Sequence, residues 1–251
     1  MQLLPDPVIF GTLASLIAGL ATGLGALPVL FGGNFTERTM DMMLGFAAGV
    51  MLAASTFSLL IPALEFGNIW IATIGFSIGG IFLFLAAKYV PHEHFMKGHN
   101  GPSSSIARIW LLVLALMLHN FPEGVAVGIA YASDGASSIG LIVAIAITLH
   151  NIPEGLAVAM PMVREGHSRI KSAGFALATG LVEPIGAFFG ASVVSLMEFL
   201  LPYGFAFAAG AMILVVSHEM IPESHSGGHE KWATFGVMLG FILMMILDST
   251  L

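Results

Sequence analysis

Apolar residues along this chain gather in long runs, many of them about 20 residues, which is what a helix needs to cross the hydrocarbon core of a bilayer. The runs predict membrane-spanning helices near 7–31, 41–64, 67–90, 106–132, 138–162, 171–197, 203–224 and 232–250. The fold class expected is therefore an all-α membrane protein, with residues 1–251 forming one transmembrane domain of eight helices. Glycines recur four apart within these runs, at Gly19/Gly23, Gly45/Gly49, Gly75/Gly79, Gly124/Gly128, Gly186/Gly190 and Gly236/Gly240. Such spacing lets helices approach closely, so these glycines are read as packing residues.

Composition strengthens the membrane reading. The chain is 57% hydrophobic and only 9% charged, with a mean hydropathy of +0.94. A soluble domain carries about 25% charged residues. The absence of cysteine removes disulfides and thiolate metal sites together. The first apolar run does not resemble a secretory leader. Asp6 stands where a positive segment would be, and no Lys or Arg precedes Arg38. It is read as the first span.

Eight crossings place both termini on one side. All eight basic residues then fall on the other: Arg38 after span 1, Lys88, Lys97 and Arg108 around the loop after span 3, Arg164, Arg169 and Lys171 between spans 5 and 6, and Lys231 between spans 7 and 8. The positive-inside rule makes that side cytoplasmic and puts both termini outside.

The chain also repeats itself. Leu118-His119-Asn120-Phe121-Pro122-Glu123-Gly124 in span 4 recurs as Leu149-His150-Asn151-Ile152-Pro153-Glu154-Gly155 in span 5. Phe46-Ala47-Ala48-Gly49-Val50-Met51 and Leu60-Ile61-Pro62 in span 2 are echoed by Phe207-Ala208-Ala209-Gly210-Ala211-Met212 and Met220-Ile221-Pro222 in span 7. Matching span 2 to span 7 pairs spans 1–3 with spans 6–8 in opposite orientation. The result is a 3+2+3 inverted repeat, a transporter signature.

Ionisable residues at membrane depth cost about 2.5–3.5 kcal/mol each on insertion scales and mark functional sites. Here His119, Glu123, His150, Glu154, Glu183, His218 and Glu219 fall within predicted spans, with no Lys or Arg near the middle of any span. The carboxylates must therefore be protonated, solvated, or paired with a cation from outside the protein. His119 and Glu123 are four apart, as are His150 and Glu154, so each pair shares a helix face and makes half of a metal site. Asn120 and Asn151 supply carbonyl oxygens if the helix loosens locally. Pro122 and Pro153 displace the carbonyls of Leu118 and Leu149 and are expected to break their helices beside the charged pairs. Glu183-Pro184 repeats the idea in span 6. In span 7, His218, Glu219 and Glu223 are read as a release station on the exit path. The loop histidines His92, His94, His99, His225 and His229, and His167 between spans 5 and 6, all fall on the cytoplasmic side. The first five are candidates for capturing a released metal.

Mixed imidazole and carboxylate ligands suit Zn²⁺, Fe²⁺, Mn²⁺, Co²⁺ and Cd²⁺; oxygen-only sites suit Mg²⁺ or Ca²⁺. No phosphate-binding Gly-x-x-x-x-Gly-Lys-Ser/Thr loop is present, which argues against ATP drive within this chain. Two other function classes fit the sequence less well. An intramembrane metal hydrolase lacks its second histidine, since Pro222 stands where His-Glu-x-x-His needs it. A metal sensor lacks an output domain.

The doubled His-Asn-x-Pro-Glu-Gly motif, one copy in each of spans 4 and 5, resembles the hallmark of the ZIP family of metal transporters. The resemblance covers nearly the whole chain and is that of the short bacterial members. It implies uptake of zinc, and often iron, manganese, cobalt or cadmium, into the cytoplasm across a bacterial inner membrane. It implies a two-metal centre in which His119, Asn120, Glu123, His150, Asn151, Glu154 and Glu183 match the family's ligands. His218 and Glu219 resemble residues of its inner exit path. Some relatives carry a carboxylate where Asn151 stands, so the second metal position here has one fewer negative charge. The resemblance further implies a homodimer and an elevator-like movement of one bundle.

Overall fold

The structure, a computed structural model, describes residues 6–33, 35–90, 92–94, 98–100, 108–133 and 138–251. It is a bundle of helices. Helix α1 spans Pro7–Leu30, α2 Glu37–Ala53, α3 Ile61–Phe66, α4 Ile69–Tyr89, α5 Arg108–Ala132 and α6 Ser138–Arg164. Then follow α7 (Arg169–Gly180), α8 (Glu183–Leu196), α9 (Leu201–Val215), α10 (Ile221–Ser224) and α11 (Glu230–Thr250). Among the described residues, seven stretches are long and apolar enough to cross a membrane: Pro7–Leu30, Glu37–Phe66, Ile69–Tyr89, Ile139–Arg164, Arg169–Leu196, Glu198–Ser224 and Glu230–Thr250. Helix α5, 25 residues long, runs between α4 and α6. The all-α expectation needs one amendment. A short antiparallel ribbon of β1 (His92–His94) and β2 (Gly98–Asn100) lies between α4 and α5, with Glu93 opposite His99.

Local chemistry sets the helix starts. The side chains of Asp6, Thr36, Asn68 and Ser168 each accept from backbone N–H groups of the first turn that no carbonyl can reach. Pro7 follows Asp6, where its missing N–H costs nothing.

The prolines act differently from expectation. Helices α5 and α6 continue through Pro122 and Pro153 without a break. Each proline removes one backbone bond, and tight packing against neighbouring helices holds the rest in helical geometry. The irregularities fall elsewhere. Between α2 and α3, residues Ala54–Leu60 form a π-helix, and Val216–Met220 do the same between α9 and α10. Each π segment ends just before an Ile-Pro pair. Pro62 and Pro222 would press on carbonyls four residues back. The wider coil moves the bonding one residue further, with Ile61 N–H donating to the Thr56 carbonyl and Ile221 N–H to that of Val216. A third break separates α7 from α8 just ahead of Glu183-Pro184, with Pro184 in the first turn of α8.

Two packing groups emerge. In one, α1 lies along α6 and α5 along α8, with α7 and α8 also against α1. In the other, α2 lies along α11 and α4 along α9. Contacting backbones leave no room for side chains. A Cβ on Gly155 would stand 1.8 Å from the Thr22 carbonyl oxygen, and one on Gly25 2.0 Å from that of Ile152. Large apolar side chains face outward instead: Ile17 on α1 is 66% exposed and Trp70 on α4 74%. That inversion is natural where lipid, not water, surrounds the helices.

At the basic end, Arg164 of α6 ion-pairs with Glu37 of α2, and its guanidinium donates at 3.3 Å to the Phe35 carbonyl. Arg38 stacks 3.5 Å over the Trp232 ring and joins α2 to α11. The Arg164 and Glu37 side chains are 45% and 51% exposed, and exposed ion pairs contribute roughly 0–1 kcal/mol. Arg164→Ala should therefore lower the thermal unfolding temperature in detergent by no more than a few degrees. A collapse of the fold would show that this link carries far more of the stability than solvent screening allows.

Candidate metal centre

Helix α5 brings His119, Asn120 and Glu123 to the interior, α6 brings His150, Asn151 and Glu154, and the first residue of α8 is Glu183. Six of the seven are buried: Asn120, Asn151 and Glu183 completely, Glu123, His150 and Glu154 to within 8% exposure. The elements meet because glycine lets them. A Cβ on Gly124 would lie 2.0 Å from the Glu183 carbonyl oxygen, so α8 begins directly against the α5 motif.

Glu123, His150 and Glu154 form a trio whose ligand atoms all lie within 4.8 Å of one another. The His150 Nε2 stands 3.2 Å from Glu123 Oε1 and 3.8 Å from Glu154 Oε2. Zinc binds imidazole nitrogen and carboxylate oxygen at about 2.0–2.2 Å, which puts two ligands of a tetrahedral ion about 3.4 Å apart. The trio is already close to that spacing.

The polar atoms around it are poorly satisfied. Both amide atoms of Asn120, both oxygens of Glu123, the Asn151 carbonyl oxygen, Glu154 Oε2 and Glu183 Oε2 are buried without a hydrogen bond of good geometry. A buried polar group left unsatisfied costs roughly 1–3 kcal/mol. So many acceptors gathered at one point, with no Lys or Arg buried among them in the described residues, could hold a cation.

The seven residues do not form one shell. His119 does not join its helix partner Glu123. Its Nε2 meets Glu219 Oε2 at 2.5 Å, across from α5 to the π segment before α10. Glu219, expected on the exit path, therefore adjoins the centre. His218 beside it is exposed, and Glu223 lines a cavity of about 380 Å³ with Glu37, Asp41 and Glu165. Asn151 donates through Nδ2 to Glu183 Oε1 and to the Ala18 carbonyl, both at 2.7 Å.

Two of the loop histidines hold structure in place. The His225 Nδ1 lies 2.8 Å from the Ile221 carbonyl and its Nε2 3.2 Å from Thr234 Oγ1, so it closes the end of α10 against α11. His229 caps α11, with its backbone N–H donating at 3.2 Å to Asp41 Oδ2 and its Nδ1 3.4 Å from the same oxygen. Both side chains thus have structural contacts in addition to the capture role expected of them. His92, His94 and His99 lie in β1 and β2, and their side chains are outside the described part of the structure. His167 follows α6, with its N–H donating at 3.0 Å to the Met162 carbonyl.

Sequence reasoning missed two acids. Asp41, only 3% exposed, is the acceptor for His229. Asp248 accepts at 2.6 Å from Ser58 in the first π segment. Neither has a local motif; only a long-range contact reveals them.

Membrane-length apolar helices around a buried imidazole–carboxylate trio define an integral membrane protein with a candidate metal centre among its helices. Comparison with known proteins gives the family. The description of the ZIP zinc transporter family matches residues 88–248. Zinc transporter GufA of Myxococcus xanthus is 46% identical, across 96% of this chain and 98% of its own. Zinc transporter ZIPB of Bordetella bronchiseptica is also 46% identical, across 92% of this chain and 78% of its own. Zinc transporter ZIP11 of Homo sapiens is 32% identical, across 90% and 93%. The chain belongs to the ZIP zinc transporter family. It is a transporter of divalent transition-metal ions and not an enzyme, which sets aside the hydrolase reading.

Proposed function

We propose that this protein carries zinc into the cytoplasm, with Glu123, His150 and Glu154 holding the ion in mid-membrane. His119, Asn120, Asn151 and Glu183 stand beside the trio as further polar groups available to the ion, and Glu219, His218 and Glu223 line the way out. The observation that carries this reading is the buried trio of one imidazole and two carboxylates, with no Lys or Arg buried beside it among the described residues. Fe²⁺, Mn²⁺, Co²⁺ and Cd²⁺ suit the same ligands.

The path is read as eight crossings in a 3+2+3 inverted repeat, with both termini outside and the basic end in the cytoplasm of a bacterial inner membrane. Two features support the repeat. Exchanging the first three crossings with the last three, and the fourth with the fifth, turns the α2–α11 contact into α4–α9 and the α1–α6 contact into α5–α8. The same exchange brings the π segment before Pro62 onto the one before Pro222. The trio lies wholly within the α1/α5/α6/α8 group, so an elevator-like movement of that group, in a homodimer as the resemblance implies, would carry the ion with it. A divalent ion entering a negative cytoplasm gains about 2.3 kcal/mol per charge per 100 mV, which favours uptake.

The test is metal uptake into sealed proteoliposomes that enclose a zinc dye. Wild type should give a zinc-dependent signal. A variant with His119, Glu123, His150 and Glu154 all replaced by Ala should give none while still inserting. Equal signals from both would overturn the site. Zinc binding without any uptake by wild type would point to a sensor.

A further inference from the structure

At the basic end, the close of α1, the close of α6 and the first turn of α7 enclose a cavity of about 260 Å³. Its walls are of two kinds. Val29, Phe35, Met160 and Val163 are apolar, while Arg164 and Arg169 bring guanidinium groups. Among the described residues no carboxylate lines it. Glu37 and Glu165 line the larger cavity next to it, and Met160 and Arg164 stand between the two.

The backbone makes room for one of these arginines. Arg169 reaches back from α7 across the end of α1, where its two terminal nitrogens would lie 3.1 and 3.4 Å from a Cβ on Gly32. Gly32 has a φ of +79°, which glycine adopts without strain, so the turn closing α1 offers bare backbone for the guanidinium to rest on. No carboxylate among the described residues forms an ion pair with Arg169. Arg164 bonds to Glu37 and to the Phe35 carbonyl, which leaves part of its five N–H donors unspent. The cavity also lies where membrane-length stretches stop: Pro7–Leu30 and Ile139–Arg164 end beside it, and Arg169–Leu196 begins there. Phe31 and Ile170, 86% and 79% exposed, stand next to its rim, as large apolar side chains do against lipid.

We propose that this cavity binds the headgroup of an anionic phospholipid, with its phosphate between Arg164 and Arg169 and its glycerol and first acyl carbons against the apolar wall. The planar fork of a guanidinium matches two phosphate oxygens at once. Basic pockets between helices at the bilayer surface recognise lipid headgroups on this ground. A free phosphate would use the arginines and leave the apolar wall in water; a lipid uses both. A zwitterionic headgroup would bring its own cation toward two guanidiniums. The cavity is built by α1, α6 and α7, all of the group that carries the trio, so the lipid fastens that group to the bilayer surface. Arg164 also holds Glu37 of α2, so a bound phosphate draws on the arginine that ties the two packing groups together.

The experiment titrates the purified full-length protein, in uncharged detergent, with phosphatidylglycerol, phosphatidylcholine or inorganic phosphate, and follows binding by native mass spectrometry. Wild type should bind phosphatidylglycerol about tenfold more tightly than phosphatidylcholine. Arg169→Gln and Arg164→Gln should each weaken phosphatidylglycerol binding by about tenfold, the loss of a charge-assisted contact. Arg169 is exposed and holds no carboxylate among the described residues, so its variant should fold as wild type does. Lys231→Gln removes an equal charge from the start of α11, outside the cavity, and should change binding by less than about twofold. Equal binding of the two lipids by wild type would overturn the proposal. Equal losses from Arg169→Gln and Lys231→Gln would do so too, because they would reduce the site to diffuse surface charge. Inorganic phosphate bound as tightly as phosphatidylglycerol would give the arginines to a free anion and overturn the lipid. None of these outcomes depends on where zinc is held, so the zinc reading stands or falls separately.

Discussion

Glu123→Gln is expected to lower zinc uptake by more than about 100-fold, beyond the 10–100-fold typical of losing a partner outside the ligand shell. The substitution keeps the volume and the helix but removes a charge. Glu123 is 1% exposed and stands 3.2 Å from His150 Nε2, while neither of its oxygens has a good hydrogen bond. Those oxygens are the ones that the proposed function assigns to the ion. A neutral amide turns one of them into a donor facing an imidazole, and it withdraws half of the charge that the trio offers to a divalent ion. Glu154→Gln should behave alike, because Glu154 Oε2 lies 3.8 Å from the same nitrogen and is buried without a hydrogen bond. The measurement is initial uptake in proteoliposomes at matched protein content. Near-normal rates for both variants would show that the ion is held elsewhere.

Gly155→Val should unfold the α1–α6 contact. A Cβ there would lie 1.8 Å from the Thr22 carbonyl oxygen, which is backbone and cannot swing away. Overpacking a tight site usually costs about 1–3 kcal/mol, and a clash with backbone belongs above that range. The two helices would have to separate, and α6 carries His150 and Glu154. Loss of thermal stability in detergent should therefore come with loss of metal binding. Gly174→Ala in α7 is the control. Nothing lies within 4 Å of its added Cβ, so the change should be neutral or stabilising by roughly 0.5–1 kcal/mol. Equal unfolding temperatures for Gly155→Val and wild type would contradict the packing described here.

The two variants test information that the chain carries in different ways. Position 155 is a glycine whose need is invisible until α1 is known to press on it. Positions 123 and 154 announce themselves, because a carboxylate in an apolar run has no cheap structural purpose. The doubled His-Asn-x-Pro-Glu-Gly motif made the family legible. Hydrophobic run length made the helices legible, since crossing a bilayer imposes one length on every span.

Local rules misled where a proline was concerned. They placed breaks at Pro122 and Pro153, yet both helices run straight through, while π segments absorb Pro62 and Pro222. A proline weakens a helix everywhere, and neighbouring helices decide whether the weakness shows. Spacing along one helix was an equally partial guide. The i,i+4 rule puts His119 and Glu123 on one face, and it cannot say that Glu219, 100 residues away in the chain, will reach His119 first.

The sequence by itself thus determined what is written in run length and residue type: a helical membrane protein, its family, and the side chains that are candidates to bind metal. Tertiary structure alone decided the partners. It chose Glu123, His150 and Glu154 as the trio, set His119 against Glu219, turned the Asn151 amide toward Glu183, and gave His225 and His229 to structure. The reason is physical. Periodicity fixes the face a residue occupies on its own helix, while the neighbour it meets depends on how glycine-lined backbones close on one another, a property of pairs of helices that no single segment contains.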